Sequence, residues 1–342
     1  MDCACTKSIG RVLDFFTTSK CIIRDYQGEH MDNRNNKLIK LYSLSICNFF
    51  WAMLLVSCGF LPAPDCKQGK IVATYKTNSS STYQGGFVVY NLQIPKMIQN
   101  LPLDPSVRIT GMALSPDGNN ILYGNDADSS LYLLDLRSGQ KTKIYQGYRP
   151  ISPVWSPNGV QAAFADGAVT TFDHVYVINI NNSKAIQSLS PNYDSYDQLF
   201  EIPVAWSQVD NNILLEDNQY YRPPYTLAFV HPDGSGRKSI YTSQYIWVAA
   251  LSPDGKLLIL QEGYPLKGKP YLYNWQSDKR TELPNMPLQS YSWSWSPNGK
   301  CIAFLRTLGT STSEMDVYNL ETNKITNLPF PQMDYGWIAW GQ

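Results

Sequence analysis

The sequence predicts an all-β chain, a six-bladed β-propeller whose first and last strands share one blade. Three observations carry this: a turn repeated at a period in the forties, short apolar runs flanking each copy, and an unmatched strand at either end. The turn reads Ser115-Pro116-Asp117-Gly118, Ser156-Pro157-Asn158-Gly159, Ser252-Pro253-Asp254-Gly255 and Ser296-Pro297-Asn298-Gly299. A degenerate copy runs Ser207-Gln208-Val209-Asp210-Asn211. The leading serines stand 41, 51, 45 and 44 residues apart, the spacing of a repeat that contributes one four-stranded sheet per period.

Proline pre-sets φ at the second turn position, Asp or Asn tolerates the third, and glycine closes the fourth. A calcium or phosphate loop is the functional alternative, but the flanks favour a plain hairpin turn. First strands precede it at 111–114, 153–155, 203–206, 247–251 and 291–295, and second strands follow at 120–123, 161–164, 212–215, 256–260 and 300–304. These runs are too short for helices and rich in β-formers. Third strands are expected at 87–92, 131–136, 175–180, 227–230, 271–275 and 317–320. Basic-led fourth strands are expected at 96–98, 141–145, 184–186, 237–241, 279–283 and 324–328. Residues 70–75 have second-strand character with no first strand before them, and 336–340 have first-strand character with nothing after. Joined, they complete the sixth blade and remove the edges of an open array.

Composition bounds the function. The 342 residues are 43% apolar and only 16% charged, with 23 Tyr and 9 Trp, a balance that suits an all-β protein outside the cytoplasm. Lys plus Arg equals Asp plus Glu at 28 each. A near-neutral body offers no electrostatic footprint for nucleic acid. Six of the seven cysteines (Cys3, Cys5, Cys21, Cys47, Cys58 and Cys66) precede the propeller, and Cys301 lies within it. Cys3 and Cys5 lack the matching second half of a zinc site. A Cys66–Cys301 disulfide is open in an oxidising compartment, and the sequence neither requires nor forbids it.

The N-terminal region reads as an export signal rather than as fold. Arg34, Lys37 and Lys40 are followed by an apolar run over 41–56 and then Ser57-Cys58, the charged, apolar, small-residue order of a secretory signal. Its ending, 55–58, resembles the lipobox of bacterial lipoproteins, which implies lipid attachment at Cys58 and a stable membrane anchor. An uncleaved membrane anchor and plain secretion are the alternatives. The organisation expected is therefore an upstream stretch (1–30, either untranslated with Met31 as the true start or an unstructured extension), a lipoprotein signal (31–57), a tether (58–69) and the propeller (70–342).

The repeated Trp/Leu-Ser-Pro-Asp/Asn-Gly, each followed by an apolar strand, resembles the PD40 (WD40-like) repeats of the TolB β-propeller family. The resemblance covers nearly all of 70–342. It implies a periplasmic or cell-surface propeller that binds protein partners or small ligands, here without room between Cys58 and Lys70 for the family's additional α/β domain.

Chemistry is sparse. No Gly-x-Ser-x-Gly elbow is present, and downstream of Cys58 the only histidines are His174 and His231, about a blade and a half apart, so no metal or cofactor is expected. Carboxylates recur after the second strands (Asp126, Asp128, Asp166, Glu216, Asp217 and Glu262). They form either an acid/base set or solvated turn chemistry. The stronger candidates are aromatic. Tyr148, Tyr196, Tyr245, Tyr291 and Tyr335 recur in five blade-to-blade connections, with Arg108 in the sixth. Tyr220, Tyr221, Arg222 and Tyr264 lie in second-to-third-strand loops of the same face. Tyrosine gives binding area with a polar tip at low entropic cost; the alternative is packing between blades. The first-strand tryptophans Trp155, Trp206, Trp247 and Trp295 are expected in the core.

The function expected is a lipid-anchored, extracytoplasmic, monomeric propeller that binds an envelope protein, peptide or glycan without catalysis. A polysaccharide lyase or hydrolase and a purely structural envelope component are the rivals.

Overall fold

The computed structural model describes residues 66–341 except 77–84, 95–97, 168–173, 190–198, 220–221, 263–267, 310–311 and 331. The predicted signal and Cys58 lie outside the described residues. Every named element is a strand, and the strands form six four-stranded antiparallel sheets. Blade 1 contains β1 (Lys70–Lys76), β2 (Gly85–Asn91) and β3 (Ile98–Pro102). Blade 2 contains β4 (Ile109–Leu114), β5 (Asn120–Asn125), β6 (Ser130–Asp135) and β7 (Lys141–Gln146). Blade 3 contains β8 (Ile151–Trp155), β9 (Gln161–Asp166), β10 (His174–Asn179) and β11 (Asn182–Ser188). Blade 4 contains β12 (Leu199–Trp206), β13 (Ile213–Gln219), β14 (Arg222–Val230) and β15 (Lys238–Ser243). Blade 5 contains β16 (Ile246–Leu251), β17 (Leu257–Glu262), β18 (Tyr271–Asn274) and β19 (Lys279–Glu282). Blade 6 contains β20 (Ser290–Trp295), β21 (Cys301–Thr307), β22 (Ser313–Asn319) and β23 (Lys324–Asn327). The last strand, β24 (Asp334–Gly341), returns to blade 1, whose order is β24-β1-β2-β3. Ile71 pairs with Trp340 and Val72 with Ala339, so the ring closes as the unmatched ends require.

The turn explains why the ring holds. Gly118, Gly159, Gly255 and Gly299 take φ of 66°, 69°, 70° and 68°, and Asn211 takes 59° in the degenerate copy; Asn is among the few other residues that visit this region readily. The leading serine ties the turn to the second strand. Its buried hydroxyl accepts the amide that opens the second strand, at 2.9 Å from Asn120, 2.8 Å from Gln161 and 2.9 Å from Leu257 and Cys301. Neighbouring turns also stack: a Cβ at Gly159 would stand 3.9 Å from the Pro116 ring, and one at Gly299 3.7 Å from Pro253. The repeat thus encodes hairpin and blade-to-blade contact together.

Six hydrophobic clusters form the core, one at each blade interface. Because both faces of a blade are covered, the middle strands are buried almost continuously, as in β5 and β9, rather than alternating. Trp155, Trp206 and Trp295 are buried; the side chain of Trp247 lies outside the described residues. The outer strands β11 and β19 are exposed throughout, and their lysines and arginines discourage edge-to-edge pairing. Boundaries differ from expectation chiefly in blades 4 and 1: β12 begins at Leu199 rather than 203, and β14 at Arg222 rather than 227, so Arg222 opens a strand instead of lying in a loop. The fourth strand of blade 1 is Ile98–Pro102 rather than 96–98, because Leu101 and Leu103 pack on the Phe87–Val89 cluster.

Ordered contacts begin before Lys70. Cys66 is disulfide-bonded to Cys301, the first residue of β21, and the Gln68 carbonyl accepts the Trp340 indole N–H at 2.8 Å. The last residues of the expected tether are therefore fastened to the ring.

Candidate functional site

First strands from all six blades surround a central channel of about 1130 Å³, with Pro116, Pro157, Pro253 and Pro297 at its turn-bearing mouth. At one level of every blade the pairing of first and second strands shifts register. Such bulges locally re-aim strand side chains.

The opposite face carries the blade-to-blade connections and the second-strand ends. Here the carboxylates expected as an acid/base set are almost all engaged in holding loops. Asp166, 4% exposed, accepts the backbone N–H of Arg149 at 2.6 Å, that of Tyr148 at 3.1 Å and the Tyr145 hydroxyl at 2.8 Å. Asn125 does the equivalent work in blade 2, accepting the Arg108 amide at 2.8 Å. Asp126 pairs with Arg149 at 3.5 Å, and Asp128 with Lys143 at 3.4 Å and the Tyr132 hydroxyl at 2.5 Å. Asp217 and the buried Glu201 share the Arg237 guanidinium. Glu262 meets Arg280 at 3.0 Å and accepts the Tyr241 hydroxyl. Burial opposes its ionisation, but these donors together hold its carboxyl below the usual range.

Glu216 is the exception. It lines the channel with Ile202 and Ile246, shares its strand face with Leu214 toward blade 5, and among the described residues has no hydrogen-bond or ion-pair partner. Burial, then the neighbouring Asp217 charge, pushes its carboxyl up to about 7. An acid whose folded pKa is raised is not penalised below its ordinary 4.5, loses stability as pH climbs from 4.5 to 7, and carries the full penalty above. Glu216→Gln is therefore expected to stabilise the fold by about 1–3 kcal/mol at pH 8 and to do little at pH 4. Urea unfolding at the two pH values checks this; equal effects at both would contradict it.

The aromatic set divides. Tyr148 is 71% and Tyr245 50% exposed, and Arg108 is exposed beside them in the series. Tyr335, by contrast, is fully buried. Tyr291 packs on the blade 6–blade 1 cluster, its hydroxyl donating to the Tyr335 carbonyl at 2.9 Å and lying 2.5 Å from the Ser313 hydroxyl. These two are corrected from surface candidates to packing residues, because they lie inside β20 and β24 rather than in the connections before them, and Phe330 and Met333 pack on the same cluster. Tyr196, Tyr220, Tyr221 and Tyr264 lie outside the described residues, as does the side chain of Arg222. His174 and His231 are on separate blades. Among the described residues no group of three or more His, Cys, Asp or Glu side chains is placed to hold a metal ion.

No family model and no curated relative matches the sequence. Solved structures do match in shape. TolB from Acinetobacter baumannii is 16% identical with a TM-score of 0.66, over 84% of this chain and 70% of that one. A chain of the nidogen/laminin complex is 13% identical with a TM-score of 0.61, over 80% and 99%. An oligogalacturonate lyase in complex with manganese is 11% identical with a TM-score of 0.50, over 72% of each. At these identities the likeness is one of fold alone.

Proposed function

We propose that the chain is an extracytoplasmic propeller, anchored through lipid on Cys58, whose connection-bearing face recognises an envelope protein, peptide or glycan without catalysis. The observation that carries this is the division of labour on that face. The strand-end acids other than Glu216 are engaged by internal donors, while Tyr148 and Tyr245 project from it with large exposed rings. Exposed large aromatics on a rigid scaffold are typical recognition elements. The Cys66–Cys301 bond supports an oxidising compartment. The similar folds of TolB and of the nidogen/laminin complex are in keeping with protein binding, and the chain is read as a monomer.

A photo-crosslinking phenylalanine analogue placed at Tyr148 or Tyr245 is expected to give a discrete adduct in the native envelope. The same analogue at the exposed Val209, in the degenerate turn of the opposite face, is expected to give none. Equal labelling at all three sites, or none at 148 and 245, would overturn the reading.

Two observations favour the second reading, a polysaccharide lyase or hydrolase: burial pushes the channel-lining Glu216 carboxyl up to about 7, the range that suits a general base, and an oligogalacturonate lyase is similar in fold. Polymer turnover by the wild-type protein that is lost in Glu216→Gln would establish it.

A further inference from the structure

We propose that the pocket between the outer strand of blade 2 and blade 3 is a subsite for an uncharged pyranose ring, with Tyr148 as its stacking platform. The inference rests on the recognition reading above and gives it a ligand class. The pocket is about 400 Å³ and is formed by Tyr145, Gln146, Tyr148, Asp166, His174 and Tyr176 around Gly147 and Gly167. That volume lies in the range of small-ligand sites, which combine aromatic walls with a few convergent polar groups.

The site is built rather than incidental. Asp166 is almost wholly buried and takes three donors: the Tyr145 hydroxyl at 2.8 Å, the Tyr148 amide at 3.1 Å and the Arg149 amide at 2.6 Å. It therefore fixes the connection from which Tyr148 projects. Gly147 allows this close approach, since a Cβ there would stand 2.1 Å from Asp166 Oδ2. The Tyr145 and Tyr176 rings are locked around Phe164, at centroid distances of 4.7 and 5.9 Å. Three polar tips remain: the Tyr148 and Tyr176 hydroxyls and the His174 imidazole make no hydrogen bond among the described residues.

This inventory fits a sugar. A pyranose presents a C–H face, which an aromatic ring's negative face attracts, and a rim of hydroxyls that both donate and accept. Phenol hydroxyls and imidazole have the same dual capacity. The Asp166 carboxylate in the pocket disfavours a uronate, whose own carboxylate would meet a like charge. A protein side chain seeking an apolar socket would instead meet Asp166 and Gln146.

The test uses the intact protein with cellobiose, chitobiose and digalacturonate as probes, read by saturation-transfer NMR. Transfer to ring C–H protons of at least one neutral disaccharide is expected, with none to digalacturonate. Tyr148→Ala, which removes an exposed ring and leaves the fold intact, should reduce transfer at least tenfold. Tyr148→Phe should retain it, and His174→Ala should weaken it several-fold. Val209→Ala, in the exposed degenerate turn of the opposite face, should leave it unchanged. No transfer from either neutral disaccharide, or transfer insensitive to Tyr148→Ala, would overturn the subsite. Crosslinking at 148 that persists without sugar binding would overturn only this subsite. Loss of crosslinking at both 148 and 245 would instead remove the recognition reading beneath it.

Discussion

Removal of residues 334–342 is expected to abolish cooperative folding. β24 supplies Tyr335, Ile338 and Trp340, each at most 7% exposed, and it pairs with β1 from Lys70–Gly341 to Lys76–Asp334. Losing three large buried side chains and a ladder costs on the order of 5–10 kcal/mol, comparable to the whole stability of a typical protein. It also bares β1 as an edge, the kind of surface that recruits other chains. Trp340→Ala should cost about 3–5 kcal/mol without exposing that edge. Thermal unfolding followed by circular dichroism, with size-exclusion chromatography, separates the two. A truncated chain that is monomeric and keeps its transition midpoint would contradict the closure.

Breaking the Cys66–Cys301 bond is expected to have the second largest effect. It joins residues 235 apart in sequence, and bridging so long a loop restricts the unfolded chain strongly. Removing a disulfide of this kind costs about 3–5 kcal/mol. Cys66→Ser is the appropriate variant, because Cys66 is only partly buried whereas Cys301 is fully enclosed. Its urea midpoint should fall and become insensitive to reductant, while the wild type should lose the same amount on reduction. A reductant-insensitive wild type would show that the bond does not form in solution.

Both effects concern the ring's closure, which was legible because its determinants are local and repeated. The turn chemistry of Ser-Pro-Asp-Gly and the apolar runs beside it recur at a constant period. The mismatch of 70–75 with 336–340 then leaves one arrangement. The site was less legible because its determinants lie between blades. Tyr148 and Tyr245 precede the first strands β8 and β16 and are exposed, whereas Tyr291 and Tyr335 lie inside β20 and β24, at the register shifts, and pack on the blade 6–blade 1 cluster. Glu216 and Asp217 are adjacent letters on opposite faces of β13, and Arg237 reaches only the second. The disulfide joins one of six early cysteines to a strand 235 residues away, a proximity no spacing rule supplies. Asp166 reads as a solvated loop acid until the amides it accepts are seen. The serine of the turn could have been found: a hydroxyl five residues before the first residue of β5, β9, β17 and β21 is the signal, since Ser and Thr side chains bond nearby backbone readily.

The most direct measurement is native-state amide exchange on the peptide 334–341, compared with peptides from the middle strands β5 and β21. If the two ends of the chain form one sheet, this C-terminal peptide exchanges as slowly as the middle strands and opens only with the whole ring. Exchange within the dead time, as for a frayed terminus, would contradict the account.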